Sequence, residues 1–204
     1  MAMNVGRNLE SIGVTVDMFT NENWTEISKT RFVDKRSNHS FFRLDSTSKI
    51  EPLQAVPDLS KFDAVVVSDY DKGYLSQEII TEILSSHDLC FLDTKKILGQ
   101  WASNAHLIKI NDYEFQRSTS FIASAPETAS KIVRTLGGEG AEFKGEIFPA
   151  QKVEVLDSSG AGDAFMAALV GGILRGDSIG AAIHHANAQA SKVVQSRGVT
   201  VIHA

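Results

Sequence analysis

From Phe62 to the C-terminus, short apolar runs alternate with segments of helical periodicity, and this alternation constrains the fold more than any other feature. The run Ala64–Val67 lacks polar residues and is typical of a strand buried on both faces. Residues 76–86 then place apolar side chains on one helical face, with Ser76 as a candidate N-cap. Further strands are predicted at Leu89–Leu92, Leu107–Ile110, Lys131–Leu136, Val153–Leu156 and Val199–Ile202, and long helices at about 161–175 and 178–196. This alternation predicts an α/β fold, a mostly parallel sheet with helices on both faces.

The N-terminal part of the chain follows a different pattern. Apolar residues at helical spacing predict a helix over residues 1–12, ended by Gly13, and residues 14–19 predict a strand. Residues 28–45 contain two runs with partial alternation around the polar turn at 36–39, which is typical of a β-hairpin. We expect a single domain, 1–204, with this hairpin inserted outside the parallel sheet.

Composition argues against several classes of protein. The chain has 20 basic and 25 acidic residues, so it has no broad positive field for nucleic acid or an anionic membrane. No apolar run approaches the ~20 residues needed to span a bilayer, and the N-terminus lacks the pattern of a signal peptide. The single cysteine, Cys90, lies in an apolar run and predicts a buried thiol in a reducing compartment. We therefore expect a cytoplasmic protein.

The strongest local signal is the segment Asp157–Asp163, which combines small residues with two aspartates and opens an apolar helix. Small residues let the backbone approach a ligand, and the free N–H groups of a helix N-terminus bind anions. A carboxylate at Asp163 would lie beside that anion, an arrangement suited to transfer of a phosphoryl group to a hydroxyl. On these residues alone, a glycine turn in which Asp163 only complements the helix dipole is an equal alternative.

The same segment resembles the D-T-x-G-A-G-D signature of the ribokinase-like (PfkB) carbohydrate kinases, with Ser158 in the usual threonine position. Three further segments resemble elements of that family in the same order. Residues 111–114 are similar to its N-x-x-E element, residues 135–140 to its T-x-G-x-x-G turn, and residues 186–188 to its A-N-A stretch. The resemblance covers nearly the whole chain.

This resemblance implies a ribokinase-like fold, with the hairpin as a lid, and an ATP-dependent sugar kinase. It makes Asp163 the catalytic base that takes the proton of the sugar hydroxyl. It implies ATP and Mg²⁺ as cofactors, with a monovalent cation also allowed, and Asn111 and Glu114 acting on the metal through water. The residues implied at the anion site are Gly160, Ala161 and Gly162, and those implied at the nucleotide are Asn111, Asp112, Tyr113, Glu114, Thr135, Gly137, Gly140 and Asn187.

Within the family, four segments look like the D-glycero-D-manno-heptose 7-phosphate kinases, which phosphorylate the anomeric hydroxyl to form a 1,7-bisphosphate. These segments are 29–32, 42–45, 67–75 and 92–95. The substrate contacts implied by the resemblance are Asn4, Arg43, Asp69, Lys72 and Lys95. Lys35 and Arg36 are further candidates for a sugar phosphate, although a solvated turn is the simpler interpretation of both.

Asn4 matches the asparagine of the family's G-G-x-x-x-N sugar-binding motif, whose glycines and preceding strand would come before Met1. We therefore expect an N-terminally shortened family member that associates as a homo-oligomer, a dimer. An alternative from another class is a catalytically silent remnant that binds nucleotide or a partner subunit. The intact segments 111–114 and 157–163 favour the enzyme, and the missing glycines favour the remnant.

Overall fold

The computed structural model describes residues 2–34, 39–46 and 50–202. Over these residues the helices are α1 (Ala2–Ser11), α2 (Gln77–Ser86), α3 (Asp112–Arg117), α4 (Thr119–Ser124), α5 (Pro126–Ala129), α6 (Ala161–Leu174) and α7 (Ile179–Val193). The strands are β1 (Lys29–Val33), β2 (Ser40–Asp45), β3 (Val65–Asp69), β4 (Cys90–Thr94), β5 (Leu107–Asn111), β6 (Ile132–Thr135), β7 (Ala141–Phe143) and β8 (Glu146–Phe148). None of the described helices combines the length and apolar character required to cross a membrane.

Strands β3 to β8 form one six-stranded sheet in chain order. The pairs from β3 to β6 are parallel, whereas β7 and β8 extend the sheet as an antiparallel hairpin. The predicted α/β fold with a mostly parallel sheet is confirmed. Parallel strands have their carboxyl ends at the same edge, so the loops that follow β3 to β6 meet there.

Helices cover both faces of this sheet because the side chains of each strand alternate between two apolar layers. On one face, Phe91 and Leu107 pack with α1, α6 and α7. On the other face, Leu92 and Ile108 pack with α2. Helix α6 is buried along most of its length, which explains why its sequence lacks an amphipathic pattern. Its N-terminus is therefore held rigidly against the sheet edge.

The predicted hairpin forms as β1 and β2, a two-stranded antiparallel sheet separate from the large one. Its register pairs Lys29 with Asp45 and Phe32 with Phe42. Lys29 and Arg31 line a large cavity, whereas the rings of Phe32 and Phe42 stack at 4.3 Å and are 44% and 57% exposed. The hairpin thus has a charged face and an apolar face. The turn residues Lys35 and Arg36 lie outside the described residues.

Three predicted strands are wrong. Residues 14–19 alternate between half-buried and exposed positions, but they pair with no described strand. Residues 153–156 are also not a strand, and the backbone N–H of Leu156 donates to the carbonyl of Val194 at the end of α7. Residues 199–202 also form no strand, and the backbone N–H of Ile202 donates to the side chain of Asn8 instead of to a neighbouring strand. Apolar sequence did not ensure burial in these segments, since Phe19, Val155 and Val199 are 48%, 59% and 56% exposed. None of the three segments pairs with a described strand.

Candidate active site

The carboxyl ends of the parallel strands bring four polar segments to one edge of the sheet. Asp69 ends β3, Thr94 ends β4, Asn111 ends β5 and Thr135 ends β6. Asp163, in the first turn of α6, completes the group and is only 2% exposed. In open α/β sheets this edge is where ligands bind.

The Asp163 carboxylate accepts one hydrogen bond on each oxygen. The amide Nδ2 of Asn4, in α1, donates to Oδ2 at 3.0 Å, and the hydroxyl of Tyr70 donates to Oδ1 at 2.8 Å. Asn4 and Asp163 are 159 positions apart in the chain, and the structure brings them together as the predicted site requires. Tyr70 was not predicted as a site residue.

The glycine turn at the start of α6 lies beside this carboxylate, and Gly160 and Asp163 line one cavity. Gly160 is the N-cap with φ of 85°, a left-handed conformation that glycine adopts readily. Among the described residues, the N–H groups of Gly160 and Gly162 have no backbone acceptor, whereas that of Ala161 donates to the carbonyl of Ser158 at 3.3 Å. Two of the three predicted donors are therefore open to an anion.

A buried ion pair lies beneath this turn. Asp93 in β4 and Lys109 in β5 are register partners, and Lys109 Nζ lies 3.0 Å from Asp93 Oδ2. A Cβ added at Gly162 would lie 3.0 Å from Lys109 Nζ, so the ammonium group sits directly under the glycine turn. Burial alone would lower the pKa of Lys109, but the neighbouring Asp93 carboxylate outweighs burial and raises that pKa. Lys109 therefore supplies a permanent positive charge below the anion site.

Asn111 and Glu114 form a capping box at the start of α3. The Asn111 backbone N–H donates to Glu114 Oε2 at 2.7 Å and its side-chain amide donates to Oε1 at 2.9 Å. The ammonium group of Lys95 pairs with the same Oε1. Three donors thus already occupy the Glu114 carboxylate, and the described residues contain no cluster of three or more His, Cys, Asp or Glu that could hold a metal. Carboxylate and amide oxygens are suitable ligands for magnesium, and the contact of Asn111 and Glu114 with the ion through water stays a prediction.

The two residues between Asn111 and Glu114 lie on the outside of α3. Asp112 accepts from Arg134 Nε at 2.9 Å, and this hydrogen bond lowers the pKa of Asp112. Tyr113 is 68% exposed, with Arg117 5.5 Å from its ring centroid. A nucleotide contact by Asp112 or Tyr113 stays a prediction.

Two residues predicted at the nucleotide converge on the carbonyl of Phe148. The Asn187 amide donates to this carbonyl at 2.7 Å, and a Cβ added at Gly140 would lie 2.1 Å from it. Gly137 and Gly140 have φ of 60° and 102°, a backbone region that favours glycine, and the close approach of Phe148 at Gly140 leaves no room for a side chain there. These residues shape the turn that follows β6, and their contact with nucleotide stays a prediction.

A cavity of about 1040 Å³ adjoins Asp163. Its lining includes five of the predicted site residues, namely Asn4, Asp69, Lys72, Gly160 and Asp163. Arg43 lies outside this cavity and pairs with Asp45 at 2.7 Å. Asp69 accepts a hydrogen bond from the hydroxyl of Thr94 at 2.8 Å. This bond links the carboxyl ends of β3 and β4, and the contact of Asp69 with a substrate stays a prediction.

Basic side chains from the β1–β2 hairpin and the loop after β3 also line the cavity: Lys29, Arg31 and Lys72. Burial lowers the pKa of Lys29, and the positive charges of Arg43, Lys72 and Arg31 add to this effect against the opposing charge of Asp45. Mutually repelling cations beside a cavity provide a favourable site for an anion.

Residues 4–203 match the model of the pfkB family carbohydrate kinases. The chain belongs to this family. Among curated relatives of this pfkB member, the bifunctional protein HldE of a Nitratiruptor species is 30% identical over 203 residues, covering 87% of this chain and 43% of the relative. The bifunctional protein HldE of Helicobacter pylori J99 is 29% identical and covers 94% of this chain and 47% of the relative. The chain spans less than half the length of these relatives.

Solved structures agree with the pfkB assignment at the level of fold. A nucleoside kinase from Burkholderia thailandensis, in complex with inosine, superposes with a TM-score of 0.71 at 18% identity, covering 97% of this chain and 80% of that one. Escherichia coli phosphofructokinase-2 in complex with potassium gives 0.70 at 15% identity, with 98% and 82% coverage. The ribokinase-like fold predicted from the motifs is confirmed.

Sequence reasoning on this pfkB member missed Tyr70, Asp93 and Lys109 as parts of the site. The ion pair between Asp93 and Lys109 could have been predicted, because each is the single charged residue of an apolar strand and a buried charge requires a partner. Tyr70 had no such signal, since its contact with Asp163 joins residues 93 positions apart.

Proposed function

We propose that this chain transfers the γ-phosphoryl group of ATP to the anomeric hydroxyl of a phosphorylated sugar, a heptose 7-phosphate or a related compound. The observation that carries the proposal is the arrangement along one cavity. Asp163 and Gly160 line one part of its wall, and Lys29, Arg31 and Lys72, which form no ion pair with a described residue, line another. A sugar phosphate has a reactive hydroxyl and a separate anionic group, as this arrangement requires.

In the proposed reaction, Asp163 removes the proton of the sugar hydroxyl as its oxygen attacks the γ-phosphorus. A new bond joins that oxygen to phosphorus, and the bond between phosphorus and the bridging oxygen of ADP breaks. The N–H groups of Gly160 and Gly162 and the charge of Lys109 stabilise the transferred group, since positioning and neutralisation supply most of the catalysis in phosphoryl transfer. The buried setting of Asp163 keeps competing water away from the base.

Asn111 and Glu114 would hold magnesium through its water ligands, and the ion, when bound, would neutralise the phosphate oxygens. Lys95 pairs with Glu114, so its proposed contact with a substrate phosphate requires it to bridge the carboxylate and the ligand. Thr135, Gly137, Gly140 and Asn187 would border the nucleotide. A monovalent cation site is tested by the dependence of activity on potassium.

The proposed site for the second phosphate consists of basic side chains that are not already neutralised by an ion pair with a described residue. Lys29, Arg31 and Lys72 have no ion pair among the described residues, whereas Arg43 is engaged by Asp45. We therefore assign the second phosphate to this trio rather than to Arg43. Phosphate recognition of this kind uses charge-assisted hydrogen bonds from lysine and arginine.

We also propose that two copies of the chain associate through the apolar face of the hairpin. Phe32, Phe42 and Leu44 on this face are 44%, 57% and 61% exposed. An isolated two-stranded sheet is only marginally stable, and an exposed apolar patch of this kind marks an interaction surface. The same uncharged face on a second copy is self-complementary about a twofold axis.

The function is tested by ADP release from ATP and magnesium across a panel of sugars. The panel contains ribose, fructose, fructose 6-phosphate and D-glycero-D-manno-heptose 7-phosphate, with Asp163→Asn as the control for contaminating kinases. We expect turnover with the heptose 7-phosphate, and a new anomeric phosphate in the phosphorus NMR spectrum of the product. Turnover with unphosphorylated sugars alone would refute the proposed binding site for a second phosphate. ATP binding without any sugar-dependent turnover would favour a catalytically silent remnant.

A further inference from the structure

Tyr70 links three parts of the site that the proposed reaction treats separately. It follows β3 directly, and its hydroxyl donates to Asp163 Oδ1 at 2.8 Å. The ammonium groups of Lys29, in the hairpin, and Lys95, beside Glu114, lie 5.8 and 5.4 Å from its ring centroid. The side chain therefore contacts the base, the lid and the region of the proposed metal site, although the proposed reaction assigns it no role.

In the hydrogen bond between Tyr70 and Asp163, the phenol is the donor and the carboxylate is the acceptor. Burial raises the pKa of Tyr70, and the charges of Asp163 and Asp93 raise it further. The phenol therefore stays protonated and acts as a hydrogen-bond donor to the carboxylate. The two nearby ammonium groups lie within the range of cation–π attraction, which holds the ring in place.

The loop that carries Tyr70 adds a second constraint. Asp71 adopts φ of 51°, unusual for a residue with a side chain, and Gly73 has φ of 93°. The backbone N–H of Asp71 donates to Asp69 Oδ1 at 3.0 Å, and Lys96 pairs with Asp69 and Asp71. This bonding holds the loop in a conformation that directs Tyr70 towards Asp163.

We propose that Tyr70 is a positioning residue that orients the Asp163 carboxylate to accept the proton of the sugar hydroxyl. The inference rests on the proposed function in taking Asp163 as the base. A carboxylate oxygen can accept more than one hydrogen bond, so Oδ1 keeps a lone pair for the substrate while Tyr70 is bound. Asn4 acts in the same way on Oδ2, so the two donors together fix the plane of the carboxylate.

The substitution Tyr70→Phe tests this assignment because it keeps the ring and its contacts with both ammonium groups. A hydrogen bond to a charged group is worth enough to predict a fall in kcat of about tenfold or more, with the KM for ATP unchanged. The other groups facing Asp163 are Asn4 from α1, Lys109 from β5 and Asp93 from β4, and the variant leaves all three unchanged.

Tyr74→Phe is the matched control. Tyr74 lies on the same loop and lines the same cavity, and burial raises its pKa as well. Its hydroxyl makes no hydrogen bond with a described residue, whereas its backbone carbonyl accepts from the N–H of Leu53. We expect this variant to leave the carboxyl-carbon resonance of Asp163 unchanged, because the lost hydroxyl makes no hydrogen bond with that carboxylate.

A second readout needs no turnover. The carboxyl-carbon resonance of Asp163, assigned by its loss in Asp163→Asn, is recorded by NMR at one fixed pH in the unmodified protein and in both tyrosine variants. A resonance that moves in Tyr70→Phe and not in Tyr74→Phe supports the proposal, even if the unmodified protein phosphorylates no sugar and the proposed function fails. An unmoved resonance in Tyr70→Phe, or the same change in Tyr74→Phe, overturns the proposal and leaves Tyr70 a structural role only.

Discussion

Replacing Lys109 by methionine probes the charge beneath the glycine turn. Methionine keeps an unbranched side chain of similar length, so the main change is loss of the ammonium group. Lys109 and Asp93 are only 4% and 1% exposed, and their charged atoms lie 3.0 Å apart. The variant leaves the Asp93 carboxylate buried without its ion-pair partner, and breaking a buried pair costs about 3–5 kcal/mol. A domain has a total stability of only about 5–15 kcal/mol.

Urea unfolding measures this loss. With a slope of about 2 kcal/mol per molar urea, the unfolding midpoint should fall by roughly 2 M in Lys109→Met. The double variant Asp93→Asn/Lys109→Met removes both charges and should recover most of the loss, because no unpaired charge stays buried. Lys61→Met is the matched control, since Lys61 pairs with Asp17 at 3.3 Å on the surface and an exposed pair contributes about 1 kcal/mol or less.

The double variant separates stability from catalysis. It should fold well but lack the positive charge under Gly162, so we expect kcat to fall by about 10²-fold, as for loss of one stabilising group at a reacting anion. ADP release with saturating substrates provides this measurement. If Lys109→Met destabilises no more than Lys61→Met, the pair is not the buried coupling described above. If the double variant turns over like the unmodified protein, Lys109 has no part in phosphoryl transfer.

Three further outcomes follow from the site and the hairpin. Asp163→Asn should lower turnover by about 10²–10⁴-fold while ATP binding, measured by calorimetry, is kept; near-normal turnover would remove Asp163 from the mechanism. Glu114→Gln should raise the magnesium concentration needed for half-maximal activity more than it weakens sugar affinity, and the reverse pattern would place Glu114 in the sugar site. Phe42→Lys should convert dimers to monomers in light scattering, whereas Val155→Lys, at another exposed apolar position, should not; dimers in both variants would rule out the hairpin face.

Much of the α/β fold could be predicted because its signals are local. The helix α2 begins after Ser76, whose side chain accepts from the N–H of Ile79, as a local capping pattern predicts. The buried strands β4 and β5 are mostly apolar, each with one charged residue, and begin and end within a few residues of the predicted bounds. The three wrong strands had equally apolar sequences. A ladder requires a partner strand, and no local pattern shows whether one is present.

The glycine turn at 160–162 and the capping box at 111–114 could be read from the sequence because each is built by residues close together in the chain. The sequence alone therefore determined the alternation of strands and helices that builds the parallel sheet, the start of α6 at the glycine turn and the family to which the chain belongs. The tertiary structure decided that Tyr70 and Asn4 both donate to Asp163, that Lys109 lies under Gly162, and that Lys29 and Arg31 line the cavity whereas Arg43 does not. These contacts depend on how distant segments pack and on the register of the strands, and hydrogen bonds and ion pairs form only where packing brings the atoms within about 3 Å.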